Sequence, residues 1–240
     1  EPRIAFVYDR INKFGGAERV LLALHQLWPD APIFTSVYDS AGASWANTID
    51  IKPSFMQHIP FAKNHHEWFA WLTPMAFESF SFDAYDIVIS ITSAEAKNII
   101  AKPHTLHICY CLTPTRYLWS GLETYVSRSN IGLPKWISRF GFGTMVAILQ
   151  RWDKVASKRP DYYIAISQLV SQRIKTFYKQ QIRAVIYPPV DVERFKKLIR
   201  PVNSQKTGEY YLLVARLVGY KRVDIVVEAF NQLGWQRSEE

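Results

Sequence analysis

Ile4-Ala5-Phe6-Val7-Tyr8, then Gly15-Gly16, then Ala17 to Trp28 with Val20, Leu21, Leu24 and Leu27 on one stripe, form a strand, a glycine turn and an amphipathic helix in succession. The strand is apolar without alternation, as expected of a strand covered on both faces in a parallel sheet. The same grammar recurs along the chain. Pro32 to Val37, Asp86 to Ile91, Leu106 to Cys111, Tyr162 to Ser167 and Ala184 to Tyr187 read as further strands, and Gln168 to Tyr178 reads as a helix. Strands alternating with helices predict an α/β fold, an open doubly wound parallel sheet with helices on both faces. Ligands of such sheets sit beyond the carboxyl ends of the strands.

Pro188-Pro189 closes this series, and the polar stretch from Lys196 to Thr207 reads as a linker. Tyr210 to Ala215 then reads as a new strand and Arg222 to Leu233 as a helix, the first βα unit of a second Rossmann-like domain. The expected organisation is a domain over 1–190, a linker over 191–208, and the start of a second domain over 209–240. The chain begins at Glu1 and stops shortly after a strand–helix pattern, as expected of a piece of a longer protein.

The 240 residues are 48% hydrophobic and 21% charged, which excludes wholesale disorder and fibrous repeats. The net charge of +8 is uneven. Residues 1–100 carry 7 basic and 11 acidic side chains, whereas residues 101–200 carry 17 and 5, net +12. A basic middle suits phosphates, nucleic acid or an anionic membrane, and equally a solvated face. Leu133 to Arg159 mixes Trp136, Phe140 and Trp152 with Lys and Arg, and Trp68 to Phe82 is a second aromatic cluster. Each reads as packed structure or as a membrane-facing surface. Cys109 and Cys111 are expected to be buried free thiols, in keeping with a reducing cytosol. No apolar run is long enough to span a bilayer, and the six histidines show no metal-ligand spacing.

Three segments could carry chemistry. Gly15 and Gly16 open the first helix, where backbone N–H groups attract anions; a plain turn is the simpler reading. Arg116 and Tyr117 follow the Leu106–Cys111 strand, where Arg116 could clamp an anion or stack on Tyr117 or Trp119. Arg216 and Lys221 flank a loop between strand and helix in the second unit, suited to a diphosphate or simply to solvent.

Together Phe14 to Val20, Cys109 to Trp119, Ile164 to Ser167, Tyr187-Pro188-Pro189-Val190-Asp191, Leu213 to Leu217 and Tyr220 to Asp224 resemble the retaining glycosyltransferases of family 4, which have the two-domain GT-B fold. The later blocks look most like mannosyltransferase-type members of polysaccharide biosynthesis. The resemblance implies a hexosyltransferase that moves a sugar from a nucleotide sugar, GDP-mannose by analogy, to a lipid-linked or polysaccharide acceptor with retention. It implies no metal and no cofactor beyond the co-substrate. Gly15, Gly16, Arg216 and Lys221 would lie on the donor phosphates, and Arg116 and Tyr117 on the acceptor side. It also implies a cytoplasmic protein, peripheral on the inner membrane face, and no nucleic-acid partner.

Two departures matter. Leu112 stands where the family has a histidine that contacts the transferred sugar, and the family's E-x7-E carboxylate motif would fall beyond residue 240. The chain itself is therefore expected to be weakly active or inactive, with no catalytic residue assigned. A non-catalytic membrane- or anion-binding α/β module is the alternative.

Overall fold

The computed structural model describes residues 1–63, 66–120, 135–193, 196, 211–215 and 221–233. The chain divides into two compact units, Glu1–Val190 and Asp191–Glu240.

The first unit is a Rossmann-like α/β domain. Its strands are β1 (Ile4–Tyr8), β2 (Ile33–Thr35), β3 (Ile51–Pro53), β4 (Ile87–Thr92), β5 (Leu106–Cys111), β6 (Tyr162–Ala165) and β7 (Ala184–Val185). They form one sheet in the order β3-β2-β1-β4-β5-β6-β7, with every pair parallel. Parallel neighbours need crossovers, and α-helices supply four of them: α1 (Gly16–His25), α2 (Thr73–Glu78), α3 (Lys135–Ala156) and α4 (Gln168–Phe177), while short 3-10 turns lie in the β2–β3 and β4–β5 connections. The unbroken apolar runs are explained by two cores, one on each sheet face. Ile4, Phe6, Tyr8, Val20, Leu21, Ile33 and Ile91 pack on one side, while Ala5, Val7, Phe77, Phe82, Val88 and Ile99 pack on the other. Alternate residues of β1 thus point into different cores.

The sequence reading missed β3. Three residues ending in Pro53 make a weak strand signature, and proline is tolerated there because β3 lies at the sheet edge. The first helix ends at His25 rather than Trp28: His25 Nε2 lies 3.0 Å from Ala31 O, turning the chain toward β2. Both cysteines are free and buried on β5.

The aromatic clusters resolve unequally. Within α3, Val146, Leu149, Asp153 and Ala156 are buried at helical spacing, while Ala147, Ile148, Arg151 and Lys154 face solvent. In the second cluster Phe77 and Phe82 are buried, but Trp68 and Trp71 are exposed.

In the second unit the expected helix is present as α5 (Val223–Gln232). The expected strand over 210–215 is not: residues 211–215 belong to no strand. A strand exists only through hydrogen bonds to a neighbour, and among the described residues of this unit there is no other extended segment to pair with. Tyr211 instead meets Phe230 of α5 edge-on, with centroids 5.5 Å apart.

Candidate functional site

Strands β1, β2 and β3 step outward in one direction, and β4 to β7 step outward in the other. The direction reverses between β1 and β4, so the crevice beyond their carboxyl ends is the topological switch point of the sheet. Asp9 follows β1 there and is buried. Its Oδ1 accepts from Thr92 Oγ1 at 2.7 Å and from the Ala96 N–H at 2.9 Å. Its Oδ2 accepts from the Ser93 N–H at 2.7 Å and Ser93 Oγ at 3.1 Å. Four donors on one carboxylate clamp the ends of β1 and β4 together.

Glu95 lies beside this clamp, buried, and accepts a hydrogen bond from the Tyr117 hydroxyl. Burial, reinforced by the Asp9 charge, pushes the Glu95 carboxyl up to about 7. Burial and the neighbouring Glu95 also raise the Tyr117 phenol. Tyr117 therefore stays a neutral donor, and Glu95 changes charge near neutrality. Arg10 is close enough to lower both groups.

Behind these groups is a second buried node. Lys97 Nζ donates to Asp153 Oδ1 at 2.5 Å, to Ala94 O at 2.8 Å and to Thr115 Oγ1 at 3.2 Å. Its ammonium sits 5.2 Å from the Tyr178 ring centroid. Burial works against the Lys97 charge, but the Asp153 carboxylate outweighs it and raises the ammonium above its ordinary value. Trp119 Nε1 donates to Asp153 Oδ2 at 2.7 Å, so the turn after β5 is tied to α3.

The residues expected from sequence fall as follows. Gly15 is the N-cap of α1, with φ −164° and ψ −157°, extended backbone open to any residue. A Cβ on Gly16 would meet nothing within 4 Å. The protein's own packing thus does not demand a glycine at 16, which is exposed at the first turn of α1. Arg116 is exposed and Tyr117 is half-buried, both beyond the carboxyl end of β5. Gly15, Gly16, Arg116 and Tyr117 therefore share one end of the sheet. Lys221 is exposed just before α5 in the second unit. Arg216 lies outside the described residues.

Leu112 is half-buried, packs against the core on the α1 side of the sheet, and donates its N–H to Thr92 O at 2.8 Å. An apolar side chain engaged in the core offers no polar contact at this position. Next to it, Thr113 Oγ1 is buried without a hydrogen-bond partner.

Asp9, Glu95, Lys97 and Asp153 were not anticipated. Asp9 and Glu95 had a signal, since each lies within a few residues of a strand's carboxyl end. The Lys97–Asp153 pair, 56 residues apart, had none. Among the described residues no cluster of His, Cys, Asp and Glu is suited to a metal ion, and no helix is long and apolar enough to cross a membrane.

No family model matches the chain. No curated protein matches it.

Proposed function

We propose that the first unit is the acceptor-side domain of a retaining glycosyltransferase of the family 4 type, drawing a hexose from a nucleotide sugar. One observation carries the reading: Gly15-Gly16 and Arg116-Tyr117, the blocks of the family resemblance, lie at the same end of a parallel sheet, around its switch point. The helix N-terminus there can face a phosphate, and Arg116 can pair with an anion. Glu95 and Tyr117 offer a carboxyl and a phenol to a sugar hydroxyl. Arg216 and Lys221 of the second unit would neutralise charge on the departing nucleotide diphosphate. GDP-mannose as donor, a lipid-linked saccharide as acceptor and a place on the cytoplasmic membrane face belong to the same proposal.

The packing of Leu112 favours a second reading, a non-catalytic α/β module that binds anions or a membrane and has lost transfer. Transfer of label from a nucleotide sugar to a saccharide lipid, in the absence of added divalent metal, separates the two. Label in the lipid supports the transferase, and binding without transfer supports the module.

A further inference from the structure

Glu95 and Tyr117 meet beside the switch point on backbones that are fixed to either side of them. Before Glu95, the Ala94 N–H donates to Thr92 Oγ1 at 3.0 Å, and after it the Ala96 N–H donates to Asp9 Oδ1 at 2.9 Å. Around Tyr117, the Thr115 N–H donates to the Tyr178 hydroxyl at 3.1 Å and Gln150 Nε2 donates to Leu118 O at 2.6 Å. Leu118 is buried with Val146 and Leu149 of α3. The parts left to move are the two side chains, joined by the bond from the Tyr117 hydroxyl to Glu95 Oε1. They lie differently: Glu95 is 5% exposed, whereas Tyr117 is half-buried.

A buried carboxyl keeps its place only while it is neutral or paired. The charges around Glu95 leave its ionised form one outlet. β1 brings Asp9, whose charge opposes that of Glu95, and Arg10, whose charge favours it. The 3-10 turn Ala96–Asn98 brings Lys97, but that ammonium is committed to Asp153 of α3 at 2.5 Å. Lys154 of α3 lies 5.4 Å from the Trp119 ring centroid. α2, packed on the same turn, brings Glu78, which pairs with Arg159 at 2.6 Å. The turn after β5 brings Tyr117 itself and exposed Arg116. Arg10 is half-buried and is in no ion pair among the described residues. A guanidinium offers a carboxylate paired donors and a full charge, where a phenol offers one neutral donor. We propose that Glu95 and Tyr117 form a proton-controlled gate beside the switch point: neutral Glu95 holds the Tyr117 ring in, and the carboxylate, once its proton has passed to water, turns to Arg10 and releases the ring. Burial, which raises the Glu95 carboxyl to about 7, sets the gate to work near neutrality. The gate controls access to the crevice for any ligand and does not depend on sugar transfer.

Hydroxyl-radical footprinting of the 240-residue chain, read by mass spectrometry at Tyr117 against exposed Tyr211, tests the gate. Labelling of Tyr117 should rise several-fold from about pH 6 to about pH 8, with its midpoint near 7. Buried Tyr163 and Tyr178 should not change. Glu95→Gln keeps an acceptor for the phenol but cannot ionise, and should hold Tyr117 at the low level throughout. Arg10→Met removes the partner of the ionised carboxylate and should move the midpoint to higher pH. Wild-type labelling that is the same at both ends of the range overturns the proposal, as does an equal rise in Glu95→Gln. A matching rise at Tyr178 would report loosening of the whole turn and overturns it too, and so does a midpoint unmoved by Arg10→Met. No nucleotide or sugar is present, so failure here leaves the transferase reading untouched.

Discussion

Lys97 Nζ lies 2.5 Å from Asp153 Oδ1, with the two side chains only 1% and 3% exposed. The pair joins the turn after β4 to α3 and gathers Thr115, Trp119 and Tyr178 around it. Breaking a buried ion pair leaves one charge in a low-dielectric site, which costs far more than the pair gains over an apolar replacement. Asp153→Leu or Lys97→Met alone should each destabilise the fold by about 3–5 kcal/mol. The double variant Lys97→Met/Asp153→Leu should cost much less than the sum. Chemical denaturation of the four proteins measures the coupling, and additive losses would contradict an ion pair at this node.

Glu95 has a carboxyl raised to about 7 from an ordinary value near 4.5. The folded state then binds a proton that the unfolded state releases between those values. Stability from this group is full below pH 4.5 and is lost as pH rises through 7. Glu95→Gln keeps an acceptor for the Tyr117 hydroxyl and removes the titration. The variant should gain about 3 kcal/mol relative to wild type between pH 4.5 and pH 8. Denaturation midpoints across that range check the slope.

His107 has the opposite sign. Burial, with Arg159 nearby, lowers its imidazole from 6.5 to about 3, and its Nε2 lies 2.9 Å from Ser90 Oγ. The unfolded chain takes up a proton that the folded chain refuses, so stability falls as pH drops from 6.5 toward 3. Between pH 4.5 and 6.5 the Glu95 and His107 slopes oppose each other. His107→Gln should therefore expose the Glu95 slope, making the variant lose stability more steeply than wild type from pH 4.5 to 6.5.

Ser167 caps α4, its side chain accepting from the Val170 N–H at 3.2 Å. Ser167→Ala should cost about 1 kcal/mol, measured as a lower denaturation midpoint. Ser167→Asp should retain most of the stability, since a carboxylate can accept the same bond.

Much of the first unit was legible because local pattern and tertiary role coincide. The apolar run Ile87–Ile91 can only be a strand covered on both faces, and the Ile4–Tyr8 unit sets its neighbour's direction. β3 escaped because Ile51-Lys52-Pro53 acquires strand character only from its pairing with β2. The segment 211–215 failed in the opposite way: Tyr211-Leu212-Leu213-Val214 has strand composition but no neighbour among the described residues. At the site, position after a strand identified Gly15, Gly16, Arg116 and Tyr117. Spacing along a chain carries no information about Asp9 reaching Ser93 or Lys97 reaching Asp153, and those contacts shape the crevice. The exposure of Trp68 beside half-buried Phe69 was likewise beyond pattern, since both fit an apolar stripe equally well.

Sugar transfer by this protein is open to a direct assay. The protein is incubated with radiolabelled GDP-mannose or UDP-hexose and saccharide lipids from its own cells, with a chelator present. Label is expected in the extractable saccharide lipid, reduced about 100-fold by Arg216→Ala through loss of charge stabilisation on the leaving diphosphate. Absence of transfer from every nucleotide sugar, with the protein folded and bound to the lipids, would contradict it and leave the non-catalytic module standing.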